Sequence, residues 1–214
     1  MKVIRILLVV SASALAADSG VPVSIDTTKA AVAAAAIAAG ASVVNDVSAG
    51  LADPRMLSVV AEAGAGFVAM HMQGEPRTMQ HDPHYDDVVT EVGDFLIARL
   101  RAARTAGIAS AALCADPGIG FGKTASHSLA LLARLSELVD GVDAPVLVGT
   151  SRKTFIGSVL GSAAPAERDD GTLATVVWAI DRGAAMVRVH AVRPAIDAVR
   201  LWSEMRAIDA KAVA

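Results

Sequence analysis

Residues Asp116–Thr124 read DPGIGFGKT, with three glycines and a Lys-Thr pair in nine residues. A phosphate-cradling loop of the Walker type needs a glycine, four residues of any kind, then Gly-Lys-Ser/Thr. Counting back from Gly122 and Lys123 puts Pro117 where that first glycine belongs. The dinucleotide fingerprint fails as well, because Gly118, Gly120 and Gly122 are spaced by two and two rather than by two and three. The stretch reads instead as a turn from a strand into a helix. Asp116 closes a buried strand, Pro117 ends its hydrogen bonding, and the glycines permit positive φ beside a ligand. Taken alone, the same residues also fit a structural turn whose Asp caps the next helix.

The pattern recurs along the chain. Short β-branched runs at VPVSID (21–26), SVVNDVS (42–48), GFVAMHM (66–72), AALCADP (111–117), PVLVGTS (145–151) and MVRVHAV (186–192) predict six strands. Between them lie KAAVAAAAIAAG, with Thr27 or Thr28 as N-cap and Gly40 past its end, and PRMLSVVAEAGAG, with Asp53 as cap and Pro54 in the first turn. From Asp86 to Ala106, Val88, Val92, Leu96 and Leu100 fall four apart and predict one long helix with a single apolar stripe. Further helices are predicted at about 127–140, 168–182 and 194–206. Alternation of this kind implies a parallel sheet wrapped by helices.

An open doubly wound sheet and a closed barrel both satisfy it. An open sheet gathers its functional groups at one switch point, whereas a barrel delivers them from the C-terminal end of every strand. Here each strand ends in polar residues: Asp26-Thr27, Asn45-Asp46, His71, Asp116, Ser151-Arg152-Lys153, and Arg188 with His190. The predicted fold is therefore α/β, a TIM-type (β/α) barrel, as a single domain over residues 1–214. Six strand-helix units are visible, while closure normally takes eight in about 250 residues. Two strands and one helix ahead of Met1 are the expected remainder.

Composition narrows the partners. Hydrophobic residues make up 54% of the 214 residues, charged residues 19% and aromatics 3%, which suits buried parallel strands under small-residue helices. Few aromatics means few stacking platforms for single-stranded nucleic acid. A net charge of −3 without a run of Lys or Arg gives no footprint for nucleic acid or an anionic membrane. Small molecules are the expected partners. A single cysteine, Cys114, fits a reducing compartment and a cytoplasmic location. No stretch approaches the roughly 18 apolar residues of a membrane span. The opening MKVIRILLVVSASALAADS imitates a secretory signal with a cleavage site after Ala16. Yet Arg5 interrupts its apolar run, and Ile4, Leu7, Leu8, Ser11 and Leu15 share one side at helical spacing, so an amphipathic helix is the preferred reading.

Each candidate residue has a plain reading beside the functional one. Asp26 and Asn45 have the same choice as Asp116 between capping and ligand contact, and Asp46 points away from Asn45 by strand alternation. Lys153 follows a short apolar strand and reaches the barrel mouth, or else is a solvated lysine at a helix start. Arg188 and His190, two apart, share a face and form either an anion clamp or an exposed edge pair. His71, between Met70 and Met72, reads as a packed histidine, and His81 and His84 lack the spacing of a metal site.

In order, SIDTTKAAVA, VVNDVSAGLADPRM, VAMHMQGEPRTMQ, HYDDVVTEVGDFL, ADPGIGFGKT, PVLVGTSRKTFIG, ERDDGTLAT and VRVHAV resemble the blocks of the dihydropteroate synthase family of pterin-binding barrels. The resemblance implies a transferase of folate biosynthesis. It joins 6-hydroxymethyl-7,8-dihydropterin pyrophosphate to 4-aminobenzoate and releases 7,8-dihydropteroate and pyrophosphate. It implies that Asp26, Asn45, Met70, Asp116, Phe121, Ser151 and Lys153 bind the pterin, with Asp26 and Lys153 catalytic, and that Arg188 and His190 hold the pyrophosphate. It further implies Mg²⁺ as cofactor and a homodimer. Members carry stretches of the type NVTPDSFSDGG and GGESTRPG, including the Asn associated with Mg²⁺, and these 214 residues contain neither. No metal ligand is therefore assigned, and a pterin-binding remnant without catalysis is the alternative. A corrinoid methyltransferase, also a pterin-binding barrel, has no evident use for Ser151-Arg152-Lys153 beside an Arg-His pair. Lesser departures are Ala191, Ser128 and Ala115 where members commonly have other residues.

Overall fold

The computed structural model describes residues 15–16, 20–75, 78–161 and 164–212. The signal-like segment and the amphipathic helix read at the N-terminus fall on residues 1–19, of which only Leu15 and Ala16, in helical conformation, are among the described residues. The chain divides into two compact units, one of Met1–Met72, Val92–Pro117 and Val142–Ala144, the other of Gln73–Glu91, Gly118–Gly141 and Pro145–Ala214.

The first unit holds a four-stranded parallel sheet in the order β1 (Ser24–Asp26), β2 (Val43–Asp46), β3 (Gly66–Met70), β4 (Leu113–Asp116). Helix α1 (Ala30–Ala38) links β1 to β2 and α2 (Met56–Ala63) links β2 to β3. Helix α3 (Val88–Thr105) precedes β4, which it reaches through a 3-10 turn at Ser110–Ala112. Ala30, Ala33 and Ala36 bury one narrow face of α1, and methyl-sized side chains there allow close helix packing. The apolar stripe on α3 is realised: Val88, Val92, Leu96 and Leu100 are all buried, joined by Ala103. Each of these valines and leucines contributes about 1.5–3 kcal/mol through removal from water.

The helix starts differ from expectation. Neither Thr27 nor Thr28 caps α1; Lys29 is the N-cap and makes no side-chain cap bond. The orphan amide of Ala30 instead donates to Asp53 Oδ2 at 3.0 Å, and Thr27 Oγ1 accepts from Lys29 N. Asp53 Oδ1 also accepts from Arg55 N at the start of α2, so one carboxylate serves two helix starts. The Arg55 amide is the chief cause holding the Asp53 carboxyl below its ordinary pKa. Gly64, at φ +62, closes α2 as a left-handed C-cap.

The second unit contains a two-stranded parallel sheet, β5 (Leu147–Val148) and β6 (Met186–Val187). Its helices are α4 (Ala125–Ala133), α5 (Leu135–Gly141), α6 (Thr154–Leu160), α7 (Asp169–Asp181) and α8 (Val192–Ala212). A 3-10 turn at Pro165–Arg168 leads into α7. The helix read over 127–140 is two helices that break at Arg134, whose guanidinium leaves its helix to bind Asp87 and Glu137. Thr124 starts α4 with a reciprocal cap: Thr124 Oγ1 accepts from His127 N, and His127 Nδ1 accepts from Thr124 N. Strands β5 and β6 are each two residues long, well short of the apolar runs that announced them. Apolar runs report burial, whereas a ladder also needs a partner in register, and β5 turns away at Gly149. Arg188 and His190 therefore lie beyond β6 rather than within it, although Arg188 N still donates to Val148 O at 3.0 Å.

Candidate active site

In the first unit, strand register decides which side chains share a face. Asp26 pairs with Asn45, Asn45 with Val68, Val68 with Cys114, and Met70 with Asp116. Registered partners point to the same side and residues two apart do too, so Asp26, Asn45, Met70 and Asp116 project from one face at the C-terminal end of the sheet. Asn45 is 3% exposed, Asp116 1% and Met70 0%, whereas Asp26 on the edge strand is exposed. Asp46 faces the other way, as alternation predicts. Its carboxylate takes Ser48 N at 2.8 Å, Ser48 Oγ at 2.7 Å and Gly50 N at 2.9 Å, which makes it a turn-holding acid.

Asn45 behaves otherwise. Neither Oδ1 nor Nδ2 has a hydrogen-bond partner among the described residues, although both atoms are buried. A buried carboxamide without partners costs about 1–3 kcal/mol, and such a group in a folded protein calls for a ligand, an ion or a buried water to complete it. Two residues beyond Asn45's strand-register neighbours lies Asp116, whose backbone carbonyl accepts from His71 N at 2.9 Å. His71 itself is buried and packs edge-on against Phe95 at 4.8 Å between ring centroids, the packed histidine read from sequence.

In the second unit, Lys153 and Phe121 meet. Lys153 Nζ stands 3.9 Å from the centre of the Phe121 ring, a cation-π arrangement. Gly120 makes room for it, since a Cβ there would lie 3.2 Å from Lys153 Cδ. Lys153 is half-buried at the N-cap of α6, so it is not the solvated helix-start lysine of the plain reading. Ser151 Oγ lies 2.8 Å from His190 Nδ1 and accepts from His190 N at 3.1 Å. With one proton and two lone pairs, the hydroxyl is able either to donate to Nδ1 or to accept from it, according to the imidazole tautomer. Arg188 lies against Gly149, where a Cβ would come within 3.4 Å of the guanidinium. The structure thus pairs His190 with Ser151 and seats the Arg188 guanidinium beside Gly149.

Two features had no reading in the sequence. Lys123 of the DPGIGFGKT stretch is 3% exposed; its Nζ donates to Phe121 O at 3.1 Å and lies 5.9 Å from the Tyr85 ring. Tyr85 Oη donates to Gly122 O at 2.8 Å, and burial pushes the Tyr85 phenol up to about 12. The glycines at 118, 120 and 122 have φ of +63, +77 and +59, so the loop does use the left-handed region that its composition announced. The second feature is Asp169, which holds Arg152 in a two-pronged ion pair at 2.8 Å and 2.8 Å. The Arg152 guanidinium keeps the Asp169 carboxyl below its ordinary value. His81 and His84 lie in an exposed segment. Among the described residues no group of three or more His, Cys, Asp or Glu is placed to hold a metal ion.

Comparison with known proteins gives concordant matches. The family model described as pterin binding enzyme matches residues 3–190. Dihydropteroate synthase of Escherichia coli (strain K12) is 44% identical over 179 residues, covering 84% of this chain and 62% of that protein. Among solved structures, dihydropteroate synthase from Stenotrophomonas maltophilia with active site-bound imidazole aligns at TM-score 0.89 and 45% identity, over 94% of this chain and 75% of the other. Dihydropteroate synthase from Xanthomonas albilineans in complex with 7,8-dihydropteroate aligns at TM-score 0.86 and 42% identity, over 93% and 72%. The chain thus spans about 62% of the length of the Escherichia coli relative. The α/β class with parallel strands is that of these synthase structures.

Proposed function

This chain belongs to the pterin binding enzyme family, and we propose that it acts as a dihydropteroate synthase, a single barrel domain over residues 1–214. The reaction joins 6-hydroxymethyl-7,8-dihydropterin pyrophosphate to 4-aminobenzoate. The amine nitrogen attacks the exocyclic methylene carbon, the C–O bond breaks with its electron pair leaving on pyrophosphate, and the new ammonium loses a proton to give 7,8-dihydropteroate. The observation that carries this reading is the buried carboxamide of Asn45, without partners among the described residues and on one strand face with Asp116.

An aminopyrimidinone edge presents N–H donors beside ring acceptors. Asp116 accepts from the donors, and Asn45 both donates and accepts, which satisfies its two orphan atoms. Lys153, held over Phe121, donates to a ring acceptor; Met70 and Phe121 form apolar walls; Ser151 borders the ring. Asp26 favours positive charge that develops as the C–O bond breaks. Arg188 and His190 take the departing pyrophosphate. Mg²⁺, which the resemblance implies, would accompany the pyrophosphate beside Arg188 and His190, and no step is routed through it.

A homodimer in the cytoplasm completes the proposal. Among the described residues no helix is long and apolar enough to cross a membrane. On α8, Leu201, Met205 and Ile208 are 63%, 54% and 68% exposed and recur at helical spacing, the kind of apolar stripe that a second copy covers. Sedimentation velocity should give twice the mass of one chain, and Met205→Glu should give one. A wild-type monomer at micromolar concentration rules the dimer out.

The activity itself is tested by pyrophosphate release from the dihydropterin substrate in the presence of 4-aminobenzoate and Mg²⁺, with calorimetric titration of 6-hydroxymethylpterin in parallel. Turnover supports the proposal. Binding without turnover leaves the pterin-binding alternative, and absence of both defeats the reading. Lys153→Ala should weaken pterin binding by about 10–100-fold, the value of one charge-assisted hydrogen bond of roughly 1.5–3 kcal/mol. Unchanged affinity removes Lys153 from the site.

A further inference from the structure

Between β5 and α6 the chain makes a turn, Thr150–Lys153, in which Arg152 adopts φ +60. That is left-handed backbone, which a residue with a Cβ occupies under strain and holds only when its surroundings over-determine it. The surroundings here are one segment, Arg168–Thr172, at the start of α7. Arg152 Nε and Nη2 donate to Asp169 Oδ1 and Oδ2 at 2.8 Å each, a two-pronged pairing with a defined plane. Arg152 N donates to Thr172 Oγ1 at 3.1 Å, and Arg152 O accepts from Arg168 Nη1 at 3.0 Å. Side chain, amide and carbonyl of one strained residue are therefore all tied to the same helix start. Thr175 Oγ1, one turn further along α7, bonds Thr150 Oγ1 at 2.8 Å.

The two residues flanking Arg152 carry the contacts described above. Ser151 bonds His190, and Lys153 stands over Phe121. A peptide rotation at Arg152 into the right-handed region would redirect both, because each is one bond away from the rotating unit.

We infer that Asp169 is a positioning residue: with Thr172 it clamps Arg152 in the left-handed conformation, and this aims Lys153 over Phe121 and Ser151 at His190. The inference rests on the pterin-binding reading for its purpose, although the clamp itself has a readout that needs no ligand. The Lys153 stem lies over an aromatic face, so its terminal methylene protons resonate upfield of those of solvated lysines.

The experiment is a cycle of variants of the 214-residue chain: wild type, Asp169→Asn, Arg152→Gly and the double variant. Each is measured by carbon-proton correlation spectra of lysine-labelled protein, the Lys153 signal being identified by its loss in Lys153→Ala, and by titration with 6-hydroxymethylpterin. Glycine accepts φ +60 without strain, so the clamp is dispensable in the Arg152→Gly background. Asp169→Asn should return the Lys153 signal toward the solvated position and weaken pterin affinity about tenfold. In the Arg152→Gly background the same substitution should leave the upfield signal in place and change affinity by less than about twofold. An unmoved signal in Asp169→Asn, or an equal loss in both backgrounds, overturns the inference. If Asp169→Asn does not fold, Thr172→Val, which removes the hydroxyl that accepts from Arg152 N, should shift the Lys153 signal in the same direction by a smaller amount; no shift again overturns it. A wild type that shows the upfield signal and the glycine rescue yet binds no pterin supports the clamp and defeats the functional reading alone.

Discussion

Asn45→Leu should leave the chain folded, raise its stability by about 1–3 kcal/mol and cost at least about 100-fold in pterin affinity. The two effects have one origin. Both polar atoms of the Asn45 side chain are buried without a partner among the described residues, so the protein itself does not compensate their desolvation. Leucine has similar size and no polar atoms, and β2 is buried at this position, so the substitution removes the penalty without leaving a cavity. A pterin that found a donor and an acceptor at Asn45 would instead meet a hydrocarbon, and its own edge would be left unpaired. Sites built to hydrogen-bond a polar edge lose far more from such a change than sites built on apolar fit. Denaturant unfolding and calorimetric titration of the same two proteins suffice. A destabilised variant with unchanged affinity would mean that Asn45 is satisfied in the native chain and has no part in recognition.

Such a trade between stability and binding was partly legible in the sequence. The polar residues at the ends of VPVSID, SVVNDVS, GFVAMHM and AALCADP fall where they do because parallel strands expose only their C-terminal ends to a ligand, and a run of β-branched residues locates that end to within two or three positions. Register then follows from alternation, which is why Asp46 separates from Asn45 as read. The β5 and β6 runs were less informative, since burial without a long ladder produces the same apolar pattern. Helix starts failed for another reason. Asp53 serves Ala30 from 23 positions away, and no local rule favours it over the adjacent Thr27 and Thr28. Lys123 and Asp169 escaped because their partners are carbonyls or distant side chains. Arg152 escaped because composition signals left-handed backbone only through glycine.

Gly122 is where that signal has its largest consequence. Gly122→Ala should destabilise the protein by about 2–5 kcal/mol, the sum of roughly 1–2 for a left-handed alanine and roughly 1–3 for overpacking. The backbone there has φ +59, and a Cβ would fall 2.9 Å from Gln73 N and still nearer to Gln73 O. Backbone atoms cannot rotate aside as a flexible side chain does, so the loop itself must move. That movement would break the bond from Tyr85 Oη to Gly122 O and disturb the one from Lys123 Nζ to Phe121 O. Phe121 would then leave its place under Lys153, so the lysine methylene signal should lose its upfield shift as well. Gly64→Ala separates the two contributions. Gly64 has nearly the same φ, +62, but nothing lies within 4 Å of its added Cβ, so it should cost only the roughly 1–2 kcal/mol of backbone strain. Equal losses for the two alanine variants in denaturant unfolding would show that the loop yields freely around residue 122, and the tight seat ascribed to DPGIGFGKT would have to be given up.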